Sequence, residues 1–171
     1  MGADFMGPAR LPMYQTLARA ELRGDKMTNT TAKSFGFPDT LVAETASWLV
    51  LLRPKQPTFG SLVLVCKEDA QAFSDISPAA FADLQKAVAG IEGLLRKVVG
   101  YQKINYLMLM MVDLDVHFHV LPRYEGERSD NGLSFPDAGW PGQPNLGAAV
   151  DLGPDGAAAL AARLRQDWPS A

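Results

Sequence analysis

Residues Val112–Arg123 read V-D-L-D-V-H-F-H-V-L-P-R, and both histidines of the chain, His117 and His119, fall inside this stretch. Apolar and polar residues alternate along it. Leu114, Val116, Phe118 and Val120 point one way, and Asp113, Asp115, His117 and His119 the other. A period of two marks a strand with one buried face. Positions two apart on a strand are separated by roughly 6.6 Å, so one small ligand can touch several of these side chains. Histidine is the side chain best suited to proton transfer, nucleophilic attack or metal binding near neutral pH. The alternation therefore predicts two rings on one strand face, opening onto a cleft; Arg53 is expected in the same cleft.

Working outward, Lys103–Met111 reads as a preceding strand whose methionines fill the core, joined to the histidine strand by a very short turn at about Val112–Leu114. Further upstream, Ser77-Pro78 is a helix start. Phe81, Leu84, Val88, Ile91, Leu95 and Val98 then recur at helical spacing, and Arg96, Lys97 and Gly100 mark the end. Trp48–Leu52 and Ser61–Lys67 read as two strands of a hairpin, broken by the turn-forming Arg53–Gly60. Downstream, about residues 125–152 form an irregular, polar and proline-rich tail, in which Trp140 is expected to pack against the domain. Pro154–Trp168 has the spacing of a closing helix.

At the other end, residues 1–33 read as a peripheral N-terminal extension or leader. Met1–Lys26 carries weak helical spacing from Leu11 to Leu22, Met27 is a second plausible start, and Thr28–Lys33 is a polar linker. Residues 34–171 form the domain. The succession of elements predicts an α+β fold: a mostly antiparallel sheet, one long helix packed on it, and a C-terminal helix.

Composition narrows the classes. A chain of 171 residues with 47% hydrophobic content suits one globular domain. A net charge of −3 argues against a nucleic-acid binder. No run is long enough for a membrane span. Cys66, the single cysteine, permits no internal disulfide and points to a reducing, cytoplasmic setting, with the thiol as a small core residue.

The residues now support a resemblance. His117-Phe-His119-Val-Leu-Pro-Arg123 resembles the H-x-H-x-H signature of the histidine triad superfamily. Trp48–Cys66, with Gly60 before S-L-V-L-V-C, resembles the hairpin of its fragile-histidine-triad dinucleoside polyphosphate hydrolases. The Ser77–Val99 helix and the strand after it fall in matching places, so the resemblance spans about Ser34–Tyr124. It implies a symmetric homodimer that acts on a nucleotide substrate and needs no cofactor or metal. His117 takes the position of the family's nucleophile, which attacks the α-phosphorus and forms a nucleotidyl-histidine. His119 takes the position of the histidine beside the phosphate oxygens.

The chain also departs from the family pattern. Asp115 replaces the first triad histidine, Ser61 replaces a histidine after the hairpin turn, and Arg53 aligns with a nucleoside-contacting asparagine. The family's glycine-rich loop has no counterpart. The candidate catalytic residues are thus His117, His119 and Asp115, and the candidate substrate contacts are Leu51, Arg53, Ser61 and Asp113. A carboxylate, Asp115 or Asp113, is expected to hold one nitrogen of His117 and leave the other free to attack. Such a carboxylate would also favour the protonated, unreactive ring, and Arg53 is suited to bind phosphate through its fork of donors. Two further readings stay open: a metal-dependent enzyme using Asp115, His117 and His119, and a nucleotide-binding protein without catalysis.

Overall fold

The computed structural model describes residues 30–169. A short helix α1 (Thr30–Ser34) precedes strands β1 (Leu41–Glu44), β2 (Trp48–Leu52), β3 (Lys55–Gln56) and β4 (Leu62–Cys66). The long helix α2 (Pro78–Val98) follows, then β5 (Lys103–Leu107), β6 (His117–Arg123), β7 (Glu127–Asp130), β8 (Leu133–Pro136), β9 (Val150–Asp151) and helix α3 (Gly153–Gln166). Five strands form one antiparallel sheet in the order β1-β2-β4-β6-β5. The expected α+β architecture is the observed one.

The hairpin β2–β4 runs in continuous register from Trp48 opposite Cys66 to Leu52 opposite Leu62. Every residue of both strands is buried, so both faces of the sheet's centre are covered. Gly60 closes the turn with φ of +81°; a Cβ there would lie 2.7 Å from a Val99 methyl, so only glycine fits under the end of α2. Cys66 is fully buried, as a core residue should be. Helix α2 begins where Ser77 accepts a hydrogen bond from Ala80 N at 3.1 Å, with Pro78 in the first turn. The face it buries is rotated from the expected stripe: Ala80, Ala87, Ile91, Leu94 and Leu95 meet the sheet. Phe81 instead stays 43% exposed and packs on Phe73 at the rim. Helix α3 joins the same core through Leu160 and Leu164.

Several boundaries differ from the sequence reading. The tail is not irregular throughout. Glu127–Asp130 and Leu133–Pro136 form a hairpin whose turn residues Asn131 and Gly132 have φ of 47° and 79°, the left-handed pair that an Asn-Gly hairpin turn requires. Val150–Asp151 pairs with Lys55–Gln56 inside the first hairpin's turn. Strand β5 ends at Leu107, so Met108–Val116 is a nine-residue connector rather than a very short turn. Met111 and Val112 face water, 83% and 88% exposed, and Met108 is exposed too, which corrects the reading of these methionines as core filler; Met110 alone of the connector's methionines packs against the core. Thr30–Lys33, read as part of a peripheral linker, are helical, and Thr31 and Ala32 are buried. The proposed leader and the weak helix Leu11–Leu22 lie outside the described residues. Among the described residues, no helix is long and apolar enough to cross a membrane.

Candidate active site

Strand β6 lies between β4 and β5, with His117 opposite Val65 and His119 opposite Val63. The strand begins at His117, not at Asp113. A strand persists only while partners remain, and just upstream Val116 uses its carbonyl for Cys66 N and its N–H for Ala70 O. Asp113 and Leu114 are therefore in the connector, and Leu114 is 54% exposed although the alternation assigned it to the core. Within the strand the alternation holds. Phe118 contacts Trp48 and Phe73 on the face covered by α2, and both histidines lie on the other face.

That second face has an apolar floor of Leu49, Leu51, Val63 and Val65, closed by Ala32 and the rings of Phe35 and Phe37. The two imidazoles meet edge-on, with centroids 5.1 Å apart. Phe35 lies 6.0 Å from His117 and 5.6 Å from His119. The histidines share a face as expected, but they do not open onto a cleft: His117 is 1% and His119 7% exposed. Phe35 covers them because α1 is tied down beside them.

The ties involve the two aspartates. One carboxylate oxygen of Asp115 accepts hydrogen bonds from Thr31 Oγ1 at 2.8 Å, Thr31 N at 3.1 Å and Thr30 Oγ1 at 3.3 Å. Asp115 N donates back to Thr31 Oγ1 at 3.3 Å. Ser34 Oγ donates to Asp113 at 2.7 Å. The carboxylates thus face α1 and not the imidazole. His117 Nδ1 lies 2.7 Å from the backbone carbonyl of Asp115. A carbonyl only accepts, so Nδ1 carries the hydrogen and, in the neutral ring, Nε2 carries the lone pair. The expected orienting role is filled, but by a peptide oxygen rather than by a carboxylate.

His119 and Arg53 share a different condition. His119 Nδ1 and Arg53 Nε are both buried and have no hydrogen-bond partner. Burial pushes the His119 pKa down to about 4, helped by the nearby Arg53 guanidinium and His117, while Asp113 opposes the shift. His119 is therefore neutral at pH 7. Burial also lowers the Arg53 pKa from its ordinary value, and its outer nitrogen donates to Lys55 O at 2.9 Å. Buried polar atoms are nearly always paired, so two orphaned nitrogens here single this face out.

The other expected contacts divide. Leu51 is in the floor of the histidine face, opposite Val63. Ser61 is fully buried and donates to Thr58 O at 2.6 Å, closing the hairpin turn; its hydroxyl is not directed at a ligand. Asp115, His117 and His119 do not converge on one point, because the carboxylate is turned to Thr31. Among the described residues no group of three or more such side chains is arranged to hold a metal ion. Thr31 and Phe35 escaped the sequence reading. A T-T-A-K-S run signals a helix start at most, and nothing local ties it to a residue 84 positions away. A surface cavity of about 560 Å³ between the β7–β8 hairpin and α3 contains neither histidine.

No family model and no curated relative matches the sequence. The fold has solved counterparts. A histidine triad protein from Sinorhizobium meliloti superposes with a TM-score of 0.63 at 22% identity, covering 82% of this chain and 95% of that one. One from Bradyrhizobium japonicum gives 0.58 at 19% identity, covering 83% and 97%. A hypothetical histidine triad nucleotide-binding protein from Sulfolobus tokodaii gives 0.59 at 17% identity, covering 75% and 82%. Set beside a sheet that carries two histidines on one face of its fourth strand, these likenesses show that the chain has the histidine triad fold.

Proposed function

We propose that the protein is a nucleotide hydrolase or nucleotidyl transferase that acts at the α-phosphate of a nucleoside polyphosphate or related conjugate through a covalent intermediate on His117. The observation that carries this reading is the 2.7 Å contact between His117 Nδ1 and the Asp115 carbonyl, which reserves Nε2 as a nucleophile. Attack by Nε2 forms an N–P bond as the bond from phosphorus to the leaving-group oxygen breaks. The ring becomes cationic, with Nδ1–H held by the carbonyl. An acceptor hydroxyl, from water or a second substrate, then attacks phosphorus and gives up its proton. The N–P bond breaks and neutral His117 returns. Arg53 and His119 supply the unpaired nitrogens suited to phosphate oxygens, and Leu51 belongs to the apolar floor available to the nucleoside. Substrate entry requires Phe35 to move.

The test is incubation with nucleoside polyphosphates, phosphoramidates and sulfates labelled at the α position. The expected result is an acid-labile labelled protein that is absent from His117→Ala. Nucleotide binding without any adduct would support a non-catalytic binding protein, the reading that the near-complete burial of both rings favours. The working unit is a homodimer in this proposal, to be read by light scattering.

A further inference from the structure

We infer that Thr31 is a positioning residue for His117, acting through Asp115; the inference rests on the proposed nucleophilic role of His117. The hydrogen-bonding edge of the imidazole is set by one peptide unit, that between Asp115 and Val116. Its oxygen holds His117 Nδ1 at 2.7 Å, and its N–H is tied to Ala70 O at 2.9 Å. On the C-terminal side the strand continues the restraint. On the N-terminal side there is no ladder, only the exposed connector with Met110 at φ of 48°. There Thr31 supplies the main restraint, and Thr30 Oγ1 adds a longer bond of 3.3 Å to the same carboxylate oxygen. Thr31 bonds the Asp115 carboxylate through both its hydroxyl and its backbone N–H, and its hydroxyl oxygen also accepts from Asp115 N. Thr31 is 1% exposed and Asp115 6%, so water does not substitute for these bonds.

The clasp has a second consequence. It turns a buried carboxylate away from the imidazole and leaves a neutral carbonyl as the ring's partner. A carboxylate on Nδ1 would stabilise the protonated ring, which has no lone pair for attack. Thr31 thus keeps the carboxylate off the ring whose orientation it helps to set.

The primary readout is the His117 tautomer, followed by nitrogen-15 NMR of the imidazole in the full chain. Wild type is expected to show a hydrogen fixed on Nδ1. Thr31→Val is expected to show a mixture of tautomers. Its single-turnover adduct formation should be slower by roughly tenfold to a hundredfold, the range seen for outer partners of metal-bound histidines. Thr31→Ser restores the hydroxyl and should restore both signals, and Lys33→Ala, exposed on the same helix, should change neither. If Thr31→Val does not fold, Asp115→Asn and Asp115→Ala make the same comparison. The amide oxygen can still accept from Thr31 and should keep the tautomer, whereas alanine removes the clasp and should lose it. A folded Thr31→Val or Asp115→Ala protein with the wild-type tautomer overturns the inference. Absence of adduct in wild type would defeat the proposed chemistry but leave the tautomer result to decide this one.

Discussion

The two faces of the central sheet are built from the same strands and are almost equally dry. On one, Trp48, Val50, Leu52, Leu62, Leu64 and Val120 pack under α2 and α3 in one continuous core. Its polar atoms are matched: the Trp48 indole N–H, for instance, donates to Ala80 O at 2.9 Å. On the other, α1 and Phe35 close over Leu49, Leu51, Val63 and Val65, with two histidines set among them. Leu64 is 0% exposed and His117 1%, so burial does not tell the faces apart. Pairing does: the orphaned His119 Nδ1 and Arg53 Nε lie towards the histidine face. The cover differs as well, a 21-residue helix on one side and a five-residue helix held by hydroxyl–carboxylate bonds on the other.

This contrast can be broken from either side. The largest loss is expected on the helix-covered face. Trp48→Ala removes a wholly buried ring together with its indole hydrogen bond to Ala80 O, so chemical denaturation should show a loss of about 3–5 kcal/mol. Next in size is an acid effect specific to the histidine face. His119 has a folded pKa of about 4, below the 6.5 of an unfolded histidine. The unfolded chain therefore binds the extra proton across that interval. The stabilisation is complete above about pH 6.5 and is lost as pH falls toward 4, on the order of 3 kcal/mol. His119→Gln should flatten the stability curve over that window; a parallel curve would show that His119 is protonated in the fold.

Smaller effects sharpen the comparison. Phe35→Ala, at a half-buried position, should cost roughly 1–2 kcal/mol, less than a fully buried ring. It should also speed the modification of both histidines by diethyl pyrocarbonate severalfold. Unchanged reactivity would mean that Phe35 does not gate the face. Smallest is Gly132→Ala in the β7–β8 turn, away from both faces. No atom lies within 4 Å of the added methyl group, and φ is +79°, so thermal melting should show only the backbone cost of about 1 kcal/mol.

What could be read from the sequence is uneven in an instructive way. The hairpin, the long helix and the pairing of the histidines on one face were all legible, because each is a local pattern with its own period or cap. The Asn131-Gly132 turn is itself a local hairpin signal, but its flanks, E-R-S-D and L-S-F-P, lack the apolar alternation that marks strands. The alternation extends the histidine strand four residues too far, because it persists in D-L-D-V, Asp113–Val116, after the neighbouring strands have ended. Arg53 was singled out by the resemblance alone; its orphaned nitrogen is a property of the folded surroundings.

By itself, then, the sequence determined which residues could share a strand face and that two imidazoles would be among them. Side-chain period is a property of the backbone and needs no partner. Only the tertiary structure decided that the Asp115 carboxylate turns to Thr31 while its carbonyl takes His117. It alone decided that Phe35 closes the face and that His119 is held neutral. These outcomes are competitions among acceptors, donors and solvent, settled by which distant segments arrive at the same place, and chain order carries no record of that arrival.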